Sequence, residues 1–146
     1  MLEIKTSKNQ LVTREYKVPS SYVNPNHANA LEAGLWLQPD ATQTSTEYLT
    51  TIGTADVNLA FPIWSKKGEY STQALTQVTA IVGGTLIALT DQYNSTENYT
   101  IQQQLTVENG VLTPRAGGYA AYTVHAIVLL PPDANNGKLL FRAQII

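Results

Sequence analysis

Residues 99–146 constrain this 146-residue chain most, because they read as an almost uninterrupted series of strands and tight turns. Across residues 99–107, Ile101, Leu105 and Val107 alternate with mostly polar neighbours, the period of a half-buried strand. Glu108-Asn109-Gly110 then supplies residues that tolerate positive φ, as a tight hairpin requires. Residues 111–114 form a short return strand, closed by Pro114, which lacks a backbone donor. A β-branched and aromatic run over 119–130 predicts a long strand. Pro131-Pro-Asp-Ala-Asn-Asn-Gly137 connects it to a terminal strand over 138–146, and a chain ending on a strand is expected to be tied into a sheet.

Upstream, strand signals recur about every ten residues from Gly34 onward, the spacing of an all-β sandwich or barrel. They fall at 35–38, 48–52, 56–63, 74–82 and 85–90. Within 56–63, Val57, Leu59, Phe61 and Ile63 are placed on one face, and Pro62 implies an edge or a bulge because it cannot donate to a ladder. Gly83-Gly84 predicts a hairpin turn or a kink. The fold expectation is all-β, a small single-domain β-barrel or sandwich over residues 31–146, preceded by an extended N-terminal arm, residues 1–30. The arm is expected to hold one strand, residues 11–18, with Val12, Tyr16 and Val18 to one side. The Pro- and Asn-rich segment after it forbids a regular element. One helical turn over 27–35, capped by Asn26 and stopped by Gly34, completes the reading.

Composition narrows the function classes. A chain of this length buries a core without staples. The absence of cysteine removes disulfides and thiolate metal sites. Charged residues make up only 14%, against an average near 25%. Thr, Asn and Gln replace them, as suits a surface covered by neighbours, since buried charge is costly. A net charge of −2 argues against nucleic acid as a partner, since phosphate binding needs a basic surface. No apolar stretch reaches the roughly 20 residues of a membrane span. Met1-Leu-Glu-Ile-Lys also lacks the order of a secretory signal, so a soluble protein made in the cytosol is expected.

Catalytic constellations are sparse. Of the two histidines, His27 falls in the arm, and His125 is placed in the long strand on a face with Tyr119, Ala121, Thr123, Ile127 and Leu129, where a half-buried packing role is expected. Nucleophile elbows, zinc-binding helices and phosphate loops are missing. Glu47, Asp56, Glu69, Asp91 and Glu97 lie near strand ends and leave a hydrolytic carboxylate pair as an open alternative. Asp91, Asn94 and Glu97 could offer oxygens to calcium, although a turn stabilised by Asp and Asn side chains is preferred. No cofactor and no metal are therefore expected. Trp64 and Tyr70 would serve a carbohydrate-binding or adhesin-like module, the second alternative. A subunit-contact role for Trp64 is favoured, because Trp and Tyr are enriched at contact hot spots.

Several stretches resemble the small decoration, or cement, proteins of tailed-phage heads. Leu105-Thr-Val-Glu-Asn-Gly-Val-Leu-Thr-Pro114 and Gly137-Lys-Leu-Leu-Phe-Arg-Ala143 look like their closing region. The segment from Val82-Gly83-Gly84 to Thr90-Asp91-Gln92-Tyr93, and Gly34-Leu35-Trp36-Leu37, are similar to their earlier strands. The resemblance covers residues 30–146. It implies a non-enzymatic virion protein on the capsid exterior that binds the major capsid protein and stabilises contacts between its subunits. It also implies a homo-oligomer, with a trimer favoured over a dimer. Residues 1–17 carry four basic and two acidic side chains, which suggests an arm reaching an acidic surface. The expected contact residues are Lys5, Lys8, Arg14, Tyr16, Lys17 and Tyr22 of the arm, with Trp64. Loss of residues 1–22 is then expected to leave a folded barrel.

Overall fold

The computed structural model describes residues 1–18, 32–43, 46–67 and 77–145, with backbone alone for Lys8 and for residues 65–67. Among them are ten strands and no α-helix. In chain order these are β1 (Leu2–Ile4), β2 (Leu11–Lys17), β3 (Trp36–Pro39), β4 (Leu49–Thr51), β5 (Phe61–Lys67), β6 (Gln77–Thr90), β7 (Gln104–Glu108), β8 (Val111–Pro114), β9 (Ala126–Leu130) and β10 (Leu139–Ile145). Every ladder between them is antiparallel. The all-β expectation is met, as one curled sheet in the form of a half-barrel.

The fourteen-residue β6 is the spine. Thr90 faces Leu2 on one side and Leu139 on the other, and Gly84 faces Leu11 and Ile145. Ala80 likewise faces Arg14 and Ile63. β1 and β2 thus run end to end along one edge of β6, while β5 and β10 divide its other edge. From there the order continues as β4-β3-β5-β6-β10-β9-β7-β8. Its two ends curl together: Trp36 N–H donates to Gly110 O at 2.8 Å and Asn109 N–H to Gly53 O at 2.9 Å.

A bulge makes the curl possible. Consecutive Val12 and Thr13 face Gly83 and Ile81, so Val82 is an extra residue on β6. Such an insertion bends a strand and reverses the facing of the residues beyond it. Accordingly Ala80 and Ile81, adjacent in sequence, are both fully buried. Gly84 follows with φ +99°, and a Cβ there would lie 2.1 Å from Gln10 O. Gly83-Gly84 is therefore a kink inside one strand, one of the two outcomes its sequence allows. The core gathers Trp36, Leu37, Ile63, Leu86, Leu105 and Phe141, each at most 2% exposed. Burial on this scale stabilises by roughly 1.5–3 kcal/mol per large side chain.

Local turns follow the sequence closely. Asn109 (φ 52°) and Gly110 (φ 80°) close the β7–β8 hairpin with two residues at positive φ, the geometry that matches strand twist. Other readings need correction. Residues 1–17 supply two strands of the sheet, where an arm with one strand was expected. The bulge opposite leaves Val12 58% exposed, whereas Tyr16 and Val18 are buried. The strand expected over 99–107 begins at Gln104, because Gln102 adopts φ 69° and Gln103 closes a turn on Thr100. Ile101 is consequently exposed. Of the strand expected over 119–130, only Ala126–Leu130 forms. Gly117–Tyr119 is a 3-10 turn, and Asp56 Oδ1 accepts from Thr123 N–H at 3.0 Å, fixing a loop. Residues 56–60 are likewise irregular, and β5 starts at Phe61. The expected helical turn over 27–35 lies mostly outside the described residues; Leu35 N–H closes a turn on Glu32 O.

Gly84→Ala should destabilise the protein by roughly 3 kcal/mol, since it combines unfavourable backbone dihedrals with a backbone clash. Gly53→Ala, where nothing lies within 4 Å of the added Cβ, should change stability by less than about 0.5 kcal/mol. Urea unfolding of the two variants checks both.

Candidate interaction face

The outer face of the sheet at β6, β10 and β9 is built by simple alternation. On β10, Leu139, Phe141, Ala143 and Ile145 turn into the core, which sends Leu140, Arg142 and Gln144 outward. After its bulge, β6 buries Leu86, Ala88 and Thr90 and turns Thr85, Ile87 and Leu89 the same way as these. On β9, Ala126 and Val128 are buried and Ile127 faces out. Register then sets these side chains in rows. Arg142 stands between Ile87 and Ile127, Leu140 between Leu89 and Leu130, and Gln144 beside Thr85. The Thr85 hydroxyl donates to Gln144 Oε1 at 2.6 Å.

The result is an aliphatic strip with a guanidinium in its middle and a polar rim. On one side the rim holds Glu3, opposite Leu89, with its carboxylate 2.8 Å from Lys5 Nζ. On the other side Gln104, opposite Ile127, accepts from Arg115 Nη1 at 2.9 Å. Among the described residues no carboxylate lies within ion-pairing distance of Arg142. An apolar centre with arginine, ringed by polar side chains, is the usual anatomy of a protein–protein contact.

At one end the face sinks into a trough beside the loop that leads into β9. Two adjoining hollows, about 310 Å³ and about 120 Å³, share Val124, His125 and Gln144. The outer hollow reaches Arg142 and Thr85, the inner one Trp36, Asn58 and Thr123. His125 Nε2 lies 2.9 Å from Val57 O, so a neutral ring donates from Nε2. Its ring sits 5.9 Å from that of Trp36. Burial lowers the His125 pKa below its ordinary value, opposed by the Val57 carbonyl and by the nearby Asp56 carboxylate. His125 is a packing residue as expected, although not on the face with Tyr119, Ala121 and Thr123 that a continuous strand would have made.

The expected contact residues are not gathered into one site. Tyr16 is only 7% exposed and stacks on Phe61 at 6.1 Å, so it belongs to the core and not to a contact surface. The Arg14 guanidinium covers its ring at 4.9 Å. Lys17 pairs with Glu47 at 3.3 Å and approaches the Tyr48 ring, and Lys5 is engaged by Glu3. Trp64 is half-buried inside β5 and packs against the core, where a strand end was expected. The Lys8 side chain, Tyr22, Glu69 and Tyr70 lie outside the described residues. In place of a cation loop, Asn94 Oδ1 accepts from Thr96 N–H and Oγ1 at 3.2 and 2.7 Å, the preferred turn. Among the described residues no group of three metal-ligating side chains converges. Asp56 is occupied by Thr123, and Asp91 Oδ1 by the Met1 ammonium at 2.7 Å.

The aliphatic strip escaped the sequence reading, but β10 carried a signal. Leu140 lies out of phase with the four buried residues around it. Comparison of the chain with protein-family models, curated proteins and solved structures finds no match.

Because the folded pKa of His125 is depressed, folding is favoured with its ring neutral. That contribution is present above the ordinary pKa of 6.5 and is lost as pH falls through the lower folded value. Stability should thus fall as pH drops below about 6.5, and His125→Gln should flatten this part of the profile. Chemical denaturation between pH 7.5 and 5 (approximate limits bracketing an ordinary histidine) measures both slopes.

Proposed function

We propose that this chain is a non-catalytic adhesive β domain that docks on the outer surface of a tailed-phage head and holds neighbouring major capsid subunits together. The observation that carries the reading is the aliphatic strip Ile87–Ile127–Leu140 around Arg142, on the side of the sheet away from the core. Half-buried aliphatics on a solvent-facing sheet lose little by being covered, and they gain what apolar burial supplies. The polar rim and the low overall charge suit a wet contact with another protein. The resemblance of residues 30–146 to head decoration proteins supplies the partner and the place, the capsid exterior.

Mechanistically this is stabilisation by ligation. A molecule that binds the assembled shell and not its free subunits shifts the balance against disassembly by mass action. Many copies, or a homo-oligomeric form with a trimer favoured over a dimer, add avidity through high local concentration. The docking role passes from the N-terminal stretch to the sheet face. Deleting residues 1–22 would remove β1 and β2 from the spine together with core residues Tyr16 and Val18, and so cannot separate folding from binding.

The wild-type protein should co-sediment with purified tailed-phage heads. Ile127→Glu, a charge placed in the middle of the strip, should weaken that binding by at least about tenfold without unfolding the protein. Arg14→Glu, away from the face, should bind as the wild type does. Equal binding by the wild type and Ile127→Glu would remove the face from the docking role. Light scattering reads the oligomeric state alongside. If Ile127→Glu turns an oligomer into a monomer that still coats heads, the strip is a contact between copies of this chain.

A further inference from the structure

Resting on the docking role of this face, we propose that the trough between Arg142 and His125 receives an acidic side chain of the docked protein. The proposal is that a carboxylate on a short aliphatic stem enters with the charge against Arg142. Three independent features converge on that chemistry.

The first is the donor set. Arg142 and Gln144 are two residues apart on β10, both exposed and both facing the trough. Gln144 spends its carbonyl oxygen on the Thr85 hydroxyl at 2.6 Å, which turns its NH2 the other way as a donor. A planar guanidinium beside a fixed amide suits two carboxylate oxygens better than a hydroxyl or a cation. At the inner hollow Trp36 belongs to the lining, and its buried indole N–H has no partner among the described residues.

The second is charge. Among the described residues no acidic side chain lines either hollow. The carboxylate that acts on His125 is that of Asp56, whose Oδ1 already accepts from Thr123 N–H at 3.0 Å. His125 gives its Nε2 proton to Val57 O. Among the described residues the free positive charge of the trough is therefore that of Arg142, in a chain whose net charge is −2.

The third is the wall. Val124, 41% exposed, and Ile127 line the hollow beside these donors. They offer contact to the methylenes of a glutamate or aspartate, which a bare inorganic anion would not use. The outer hollow is continuous with the aliphatic strip, so a side chain from a docked protein surface enters it without a conformational change.

The test uses the full chain, labelled with 15N, and two blocked amino acids, N-acetyl-glutamic acid amide and its neutral isostere N-acetyl-glutamine amide. The acidic compound should shift the Arg142 Nε–H and Gln144 side-chain amide resonances saturably, with half-saturation on the order of tens of millimolar. The neutral compound should bind at least about threefold more weakly, and about 0.5 M salt should remove most of the difference. Arg142→Gln should abolish the charge preference while leaving the remaining spectrum in place, and Arg142→Lys should retain part of it. Equal response to the two compounds, no response at Arg142 and Gln144, or an undiminished response in Arg142→Gln would each overturn the proposal. The titration needs no phage head, so its result stands apart from the co-sedimentation result.

Discussion

The bend in β6 is the constraint on which the rest of the molecule depends. One strand carries β1 and β2 along one edge and hands its other edge from β5 to β10. A flat strand of this length would hold all of these in one open sheet with both faces wet. The extra residue at Val82 and the positive φ of Gly84 turn the strand, so that side chains from both halves reach one core. The close approach of Gln10 O fixes the second of these to glycine. Closure at the far ends, through Gly110 with Trp36 and Asn109 with Gly53, follows from that curvature.

The interaction face lies on the part of β6 beyond the bend. Beyond the bend, the inward turn of Leu86, Ala88 and Thr90 leaves Ile87 and Leu89 on the outside next to β10. Core and outer strip are thus the two faces of one alternating segment. Polar groups are arranged around the strip by pairs that lock one another, Thr85 with Gln144 and Arg115 with Gln104. Such locking lowers the entropy lost when a partner covers them.

Where the sequence was legible, the determining physics was local. Asn109-Gly110 announces its turn because few residues accept positive φ at low cost. β10 follows from alternation and from the loop before it, and β8 from the proline that ends it. The misreadings share a cause. Residues 119–125 have strand-like composition, yet Gly117, the 3-10 turn after it and the distant carboxylate of Asp56 hold them as a loop. Residues 56–60 alternate as a strand would, but their polar side chains serve that same loop: Asn58 Oδ1 accepts from Thr123 Oγ1 at 3.0 Å. Gln102 leaves β geometry to close a turn that neighbours alone do not specify. Intrinsic strand preference is a weak guide where a long-range partner competes for the backbone.

By itself the sequence determined the all-β class, the Asn109-Gly110 turn and the alternation that separates inner from outer residues on β10, because these depend on backbone sterics and on a two-residue period. Tertiary structure alone decided which strands adjoin, that Tyr16 is a core residue and not a contact, and that Arg142 stands between Ile87 and Ile127. Register and bulges fix those relations. They are set by the best joint burial of residues far apart in the chain, a quantity that no local pattern contains.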